Sequence, residues 1–152
     1  MMADIVSQEK RSEMMAGIQG KDTKPELKVR KALHHLGFRY KLHDKTLPGK
    51  PDLVFPKFNA VIFVHGCFWH AHGCHLFKWP STRTEFWKSK ILENKKRDKE
   101  NIKKLLDLHW RVLTIWECAM KGKYKLNFDS TIIFVSEWLK SSDPRAVIAG
   151  EK

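Results

Sequence analysis

Residues 60–64 form an unbroken apolar run, AVIFV, in which three of the five side chains are β-branched. A run of this kind is typical of a strand that is covered on both faces of a sheet. Covering both faces requires helices and many apolar side chains, and 42% of the 152 residues are hydrophobic. The run therefore predicts an α/β fold with a central mixed β-sheet flanked by helices, and it excludes a disordered chain.

The segments around this run fit the same plan. A helix is predicted to begin at Thr23, with Pro25 in its first turn and Glu26 in the capping-box position, and to end at Gly37. Its apolar stripe is predicted at Leu27, Ala32, Leu33 and Leu36. Further strands are predicted over residues 38–42, 52–55 and 110–116, and further helices over 84–109 and 129–140, the last capped by Asp129.

The predicted domain organisation is simple. Residues 1–22 are polar and basic apart from a small apolar group that includes Met15, so we expect them to form an arm. Residues 23–152 are expected to form a single domain, because no linker or repeat divides them.

The charge balance indicates a polyanionic partner. The 29 Lys and Arg residues outnumber the 17 Asp and Glu residues, which leaves a formal net charge of +12. Such a surface attracts nucleic acid, although charge alone does not specify the partner. No apolar run approaches the roughly 20 residues that a membrane span requires. We therefore expect a cytoplasmic monomer with no membrane partner.

Histidine and cysteine are concentrated in one short segment. Four of the eight His residues and two of the three Cys residues lie within residues 65–75. Closed structural zinc sites commonly use three cysteines and one histidine. The chain has three cysteines to offer, Cys67, Cys74 and Cys118, and these predict a zinc ion that ties the segment to the end of a distant strand.

Spacing leaves three histidines as candidates for the fourth zinc ligand, namely His70, His72 and His75. His72 is favoured because Cys67 and Cys74 bracket it closely. A zinc ion closed by four protein ligands has no open position for water, so this zinc is predicted to be structural. Any hydrolytic chemistry must then lie elsewhere.

Asp52 lies at the start of a predicted strand, and the apolar run leads directly into His65. A carboxylate at such a position is a frequent ligand of Mg²⁺, together with a backbone carbonyl and phosphate oxygens. His65 and His70 flank the same loop, and either imidazole can accept a proton from water near neutral pH. These residues indicate a candidate hydrolytic site.

Aromatic side chains form a third group of interest. Phe68 and Trp69 lie within the polar His/Cys segment, and Trp87 lies near the start of the charged helix. Neighbouring aromatic residues in a loop rarely both face a core, so these side chains are candidates for insertion into a base stack. Seven basic residues nearby form a candidate phosphate-contacting set: Lys78, Arg83, Lys88, Lys90, Lys95, Lys96 and Arg97.

Four segments carry a resemblance to a known family: LPGKPDLVF, VIFVHGCFWHAHGC, TRTEFW and WRVLTIWEC. In this order and at these intervals they resemble the very-short-patch repair (Vsr) endonucleases, over roughly residues 11–138. The resemblance implies a fold similar to that of type II restriction endonucleases. It also implies an enzyme that uses Mg²⁺ to nick double-stranded DNA 5′ to the thymine of a T:G mismatch, left by deamination of 5-methylcytosine, with mismatch-repair accessory proteins as candidate partners.

The resemblance also assigns catalytic roles. It implies Asp52 as the Mg²⁺ ligand, with the Val64 carbonyl beside it. His70 would be the base that activates water, and His65 and Glu26 would support the phosphate and water network. The Glu-x-Lys of restriction enzymes is absent after Asp52, as the family leads one to expect.

The remaining implied roles concern zinc and DNA. The zinc site of the family maps onto Cys67, His72, Cys74 and Cys118, in agreement with the choice made from spacing. Its intercalating side chains map onto Phe68, Trp69 and Trp87, with Met15 of the arm in the opposite groove. Ala71 and Gly73 replace residues that are histidine in some relatives, which affects none of these ligands.

Two other functions fit part of the same observations. A non-catalytic, zinc-stabilised DNA-binding module would account for the charge, the zinc ligands and the aromatic residues. Such a module has no use for Asp52 and His70 converging on one phosphate. A catalytic zinc, as in a hydrolase or a deaminase, needs an open ligand position, which three cysteines and His72 do not leave. The sequence therefore favours a Mg²⁺-dependent endonuclease.

Overall fold

A mixed five-stranded sheet organises the computed structural model of the chain, which describes residues 23–68, 70, 72–74 and 76–151. The strands lie in the order β1 to β5 across the sheet. They are β1 Lys41–Leu42, β2 Leu53–Phe55, β3 Ala60–His65, β4 Arg111–Trp116 and β5 Arg145–Ile148. β1, β2 and β3 pair antiparallel, whereas β3, β4 and β5 pair parallel. The predicted central mixed sheet is confirmed.

Helices cover both faces of this sheet. They are α1 Lys24–His35, α2 Thr84–Asp107 and α3 Phe128–Lys140. On one face, Leu33 of α1 and Val135 of α3 pack with Ile62 of β3 in the larger core cluster. On the other face, Leu105 of α2 packs with Val61 of β3 in a second cluster. The alternation of side chains along β3 explains why an unbroken apolar run is needed there.

Helix α1 begins and ends where the sequence predicts. The Thr23 side chain accepts a hydrogen bond from the Glu26 backbone N–H at 3.4 Å, and Gly37 has a φ of +97° just after the helix. The predicted apolar stripe is partly wrong, because Val29 and Leu33 are fully buried whereas Leu36 is 52% exposed. Leu36 is the C-cap residue, so it lies outside the regular turn that would carry it to the core.

Three other predictions need correction. The strand predicted over 38–42 is reduced to Lys41–Leu42, because the Phe38 N–H donates to the Leu33 carbonyl at the end of α1 instead of joining the sheet. Helix α3 is capped by Asn127, whose side chain accepts from the Ser130 N–H, and not by Asp129. Strand β5 was not predicted, since its four residues follow a proline and show no clear alternation.

The parallel arrangement decides where functional side chains can meet. β3 and β4 pair in register from Ala60 opposite Arg111 to His65 opposite Trp116. The carboxyl ends of both strands therefore lie at one edge of the sheet, where ligands commonly bind in α/β folds. Among the described helices, none is both long and apolar enough to cross a membrane.

Candidate active site and metal centre

The first side-chain cluster at this edge joins Glu26, His43 and Asp52. Glu26 projects from the first turn of α1 and is only 2% exposed. Its Oε2 atom lies 2.8 Å from Nε2 of His43 and accepts a hydrogen bond from Arg30 at 3.0 Å. The same His43 nitrogen lies 3.9 Å from Oδ1 of Asp52. Two carboxylates from different elements are thus held around one imidazole.

Asp52 is held to β3 by its side chain and to His43, which follows β1, by its backbone. The Val64 N–H donates to Oδ2 of Asp52 at 2.7 Å, and the Asp52 carbonyl accepts from the His43 N–H at 3.2 Å. Burial raises the pKa of Asp52 to about 8; the Val64 N–H lowers it, and the negative charge of Glu26 raises it further. A bound cation would stabilise the ionised form of a carboxyl group that is buried next to a second one. The oxygen ligands that Asp52 and Glu26 offer therefore fit a hard divalent ion such as Mg²⁺.

The second cluster consists of His65, His70 and Asp98. His65 ends β3 and is 6% exposed, and its ring stacks on that of His70 with centroids 3.9 Å apart and planes 8° apart. Nδ1 of His70 makes a close hydrogen bond to Oδ2 of Asp98, which projects from α2. Burial lowers the pKa of His65 well below its ordinary value, and the nearby charges of His70 and Arg145 act in the same direction. His65 is therefore neutral at physiological pH.

A cavity of about 260 Å³ opens beside the second cluster. Its lining is rich in groups that carry or can carry positive charge, with one carboxylate among them: His65, His70, His72, Lys95, Asp98, Lys99 and Arg145. The Arg145 guanidinium is held in place by the Thr114 hydroxyl and by the carbonyls of Val112 and Ala146. The lining favours an anionic ligand.

The third cluster contains Cys67, His72, Cys74 and Cys118, the four residues predicted as zinc ligands. One ligand atom from each residue lies within 4.8 Å of the others. Nδ1 of His72 lies 3.4 Å from Sγ of Cys67 and 3.5 Å from Sγ of Cys118. The structure thus brings together a loop and a distant strand end, as the spacing predicted, and it favours His72 over His70 because His70 faces Asp98.

The surroundings of this cluster also fit zinc. Burial raises the pKa values of the Cys67 and Cys118 thiols, so a cation is needed to stabilise thiolates there. The Gly150 N–H donates to Sγ of Cys118 at 3.2 Å, and the Cys67 N–H donates to the Glu117 carboxylate at 3.2 Å. Such secondary contacts typically orient the ligands of a metal site.

The aromatic residues predicted to intercalate are in different situations. Phe68 is partly buried and packs edge-on against Trp87, with ring centroids 5.9 Å apart. Trp87 is only 4% exposed and belongs to a small cluster with Ile91. The interpretation of Trp87 as an intercalating side chain is therefore at odds with its position here, because α2 turns it toward Phe68. Trp69 and Met15 lie outside the described residues.

The predicted phosphate-contacting set remains available to a ligand. All seven side chains are exposed: Lys78, Arg83, Lys88, Lys90, Lys95, Lys96 and Arg97. Five of the seven lie on α2, the helix that also carries Asp98 of the second cluster. One of the five, Lys95, also lines the cavity beside the histidine pair.

Sequence analysis missed three residues of this edge. The sequence around His43 and Asp98 does not mark either residue as functional, because each is one polar residue in a polar segment. Their roles depend on partners that are distant in the sequence, Glu26 for His43 and His70 for Asp98. Trp116 had a usable signal, because parallel pairing of the two longest strands places it opposite His65. Val64 lies beside Asp52 as the resemblance implies, with its N–H as the observed contact.

Comparison with known proteins finds relatives among DNA endonucleases. The family model described as DNA mismatch endonuclease Vsr matches residues 3–76. The DNA mismatch endonuclease Vsr of Escherichia coli (strain K12) is 44% identical over 138 residues, which cover 91% of this chain and 88% of that protein. The type II nicking enzyme V.XorIIP of Xanthomonas oryzae pv. oryzae is 44% identical, over 78% of this chain and 88% of its own length. The type II nicking enzyme V.NmeAIP of Neisseria meningitidis is 45% identical, over 80% of this chain and 87% of its own length.

Proposed function

Because this chain belongs to the Vsr family of DNA mismatch endonucleases, we propose that it nicks one strand of duplex DNA 5′ to the thymine of a T:G mismatch. The nick would start repair of the mismatch that deamination of 5-methylcytosine leaves. The observation that carries the proposal is the meeting of two chemically different clusters at consecutive residues of β3. Val64 binds the Asp52 carboxylate, and His65 stacks on His70.

Asp52 and Val64 are proposed to hold the catalytic Mg²⁺. Within a strand, the N–H and C=O of one residue point to the same edge, so the Val64 carbonyl lies on the side where its N–H binds Asp52. Glu26, which is held in place by His43 and Arg30, would complete the oxygen-rich surroundings and could accept a hydrogen bond from a water on the ion. A bound Mg²⁺ would polarise the phosphate and neutralise the charge that develops on it.

His70 is proposed to be the general base. Its Nδ1 is engaged by Asp98, which leaves Nε2 as the nitrogen that accepts a proton from water. Asp98 would stabilise the imidazolium that forms, as carboxylates do beside catalytic histidines. His65 is buried and neutral, so it is suited to hydrogen bonding with a phosphate oxygen and not to ion pairing.

Zinc is proposed to bind at Cys67, His72, Cys74 and Cys118 and to be structural. Four protein ligands leave no open position for a reacting water. A zinc ion there would cross-link the loop that carries His70 to the end of β4 and would thereby help to hold the proposed catalytic side chain in place.

Recognition of DNA is proposed to combine charge with aromatic insertion. The exposed lysines and arginines of α2 would contact phosphates, and Phe68, with Trp69 next to it, would enter the base stack. Trp87 is better suited to support Phe68 from behind. Residues 1–22, with Met15, are proposed to act as a clamping arm on the single domain that follows, and the chain is proposed to act as a monomer.

Nicking of defined duplexes tests this function. The purified protein is incubated with Mg²⁺ and end-labelled duplexes that carry T:G or C:G at one position, in several sequence contexts. We expect a single nick 5′ to the mismatched thymine and no cut in matched duplexes. An Asp52→Ala variant that binds without nicking would support catalysis, whereas a parent protein that binds but never nicks would favour a non-catalytic DNA-binding module.

A further inference from the structure

Trp116 is the point of contact between the zinc cluster and the histidine pair. Its ring stacks face to face on that of His72, with centroids 4.1 Å apart and planes 5° apart. The same indole meets the ring of His65 at 5.2 Å and 68°, and that of His70 at 6.1 Å and 72°. One side chain thus touches a residue of the proposed zinc site and both residues of the proposed catalytic pair.

The backbone that carries the Trp116 indole is held in the sheet. Trp116 is the last residue of β4 and lies opposite His65, the last residue of β3, in the parallel ladder. Two residues later the chain provides Cys118, which is buried in the zinc cluster. The indole therefore projects from a rigid strand end that is attached to both clusters.

The histidine pair needs such support. Nδ1 of His65 is buried and has no hydrogen-bond partner among the described residues. The orientation of the His65 ring therefore depends on ring contacts: His70 stacks on it, and the Phe63 ring and the edge-on indole both lie with centroids at 5.2 Å. Among the described residues, the polar partner of the His70 side chain is Asp98, and residues 66–68 and 72–74 around it form no helix or strand. Within this part of the chain, hydrogen bonds alone do not fix either imidazole plane.

We propose that Trp116 is a positioning residue, which sets the planes of His65 and His70 against the zinc-binding side chain His72. The inference rests on the proposed function, since it assigns how the catalytic pair is held. Its consequence is that zinc contributes to nicking through geometry: the ring of His72, fixed by its metal, supports one face of the indole, and the indole edge supports the pair. A misplacement of about 1 Å in a catalytic group is sufficient to lower a rate substantially.

The test is a double-mutant cycle on single-turnover nicking of a T:G duplex. Trp116→Leu removes the aromatic faces, and Trp116→Phe restores part of them. Each is made in the parent and in a His70→Ala background. Trp110→Leu is the matched control, because Trp110 precedes the other end of β4 and packs in the second core cluster. Zinc content and the Kd for DNA are measured for every variant.

We expect Trp116→Leu to lower the nicking rate about tenfold in the parent and less than about twofold in His70→Ala. Trp116→Phe is expected to lose about threefold, again only when His70 is present. The Kd for DNA and the zinc content should stay close to the parent values. Zinc transfer to a chelator should become about tenfold faster, since His72 loses the ring that orients it.

Equal fold losses in both backgrounds would overturn the inference, because a merely structural side chain gives additive effects. A loss below about twofold in the parent would do the same. If Trp116→Leu fails to fold or to hold zinc, the Trp116→Phe cycle decides by the same criteria. If the parent protein does not nick, the proposed function and the inference are both refuted. If the parent nicks but the effects of the Trp116 and His70 substitutions are additive, the inference alone is refuted.

Discussion

The backbone N–H of Val64 donates a hydrogen bond of 2.7 Å to the side chain of Asp52. This bond links the carboxylate just before β2 to the end of β3, directly before His65. It compensates only in part for the burial of Asp52 next to Glu26, so the pKa of Asp52 rises to about 8. Without a cation the Asp52 carboxyl group therefore keeps its proton near neutral pH, and its ionised form is disfavoured in the fold, as expected where a cation is to bind.

Replacing Asp52 by Asn should stabilise the protein at high pH in magnesium-free buffer. The folded chain keeps the Asp52 proton up to about pH 8, whereas the unfolded chain releases it near its ordinary pKa of 3.8. Between these values the folded state binds more protons, so the stability of the parent falls as pH rises. Thermal unfolding should show that the advantage of Asp52→Asn over the parent is larger at pH 8 than at pH 5, by about 1 kcal/mol or more. An equal difference at both pH values would contradict the raised pKa.

His43 should contribute to the nicking rate and to Mg²⁺ binding through the ring nitrogen that faces Glu26. Its Nε2 atom lies 2.8 Å from Oε2 of Glu26. His43→Ala removes that contact, whereas His43→Gln offers an amide N–H in a similar place. Because His43 has a φ of +47°, both variants carry the same backbone strain and the comparison isolates the side chain.

We expect His43→Ala to nick about tenfold more slowly and to require more Mg²⁺ for half-maximal rate, with His43→Gln within about threefold of the parent. Titration of the nicking rate with Mg²⁺ measures both effects. His35→Ala, at an exposed position of α1, is the control. Equal losses in the Ala and Gln variants would show that the imidazole ring itself is required.

Much of the fold follows from local patterns. The apolar run 60–64 and the cap at Thr23 are confirmed because burial on both faces and capping are decided within a few residues. Strand β5 could not be predicted from its own residues, since its pairing with β4 depends on a chain reversal after α3. Asn127 and Asp129 are both good caps, so the choice between them needed the backbone.

The candidate site likewise contains residues that could be predicted from the sequence and residues that could not. The meeting of Cys67, His72, Cys74 and Cys118, the proposed zinc ligands, was predictable because three cysteines and a histidine have few ways to form one cluster, and the structure places them together. Asp98 was not, because it is one charged residue among many on α2 and lies 28 positions from His70. Only the packing of α2 against the sheet turns that residue into a partner of the proposed base.

Asp98→Asn should lower the nicking rate on the order of 10², the usual scale for disrupting a general base. The carboxylate accepts from Nδ1–H of His70 and so keeps Nε2 as the acceptor, whereas an amide can favour the other tautomer. Asp107→Asn, at an exposed position at the end of the same helix, is the control. Single-turnover rates at saturating DNA measure the effect, and an unchanged rate would remove Asp98 from the mechanism.

Gly150→Ala should weaken zinc binding without altering any ligand. A Cβ at Gly150 would lie 2.5 Å from the Cys118 carbonyl oxygen and 2.8 Å from that of Tyr124, so the N–H that donates to the Cys118 sulfur must move. We expect a loss of about 1–3 kcal/mol in stability and faster zinc transfer to a chelator. Gly73→Ala is the matched control, because no described residue beyond its two chain neighbours has an atom within 4 Å of its Cβ position. Equal behaviour of the two variants would contradict the expectation.

Phe68 should account for part of the preference for mismatched DNA. A T:G pair stacks less well on its neighbours than a matched pair, so an inserted side chain separates it at lower cost. Phe68→Leu stays apolar but loses the flat ring that Trp87 supports from behind. The Kd for T:G and C:G duplexes is measured for parent and variant at one salt concentration.

We expect the T:G duplex to lose about 1–3 kcal/mol of binding, the range for one base–aromatic stack, and the C:G duplex to lose little. Binding of the matched duplex is expected to depend on the basic surface. Phe68→Leu changes no charge, so this binding and its salt dependence should stay the same. Phe134→Leu controls for the substitution, because Phe134 is 48% exposed on α3, across the sheet from α2. Equal losses on both duplexes would show that Phe68 contributes to loop packing only, and insertion would then have to depend on Trp69.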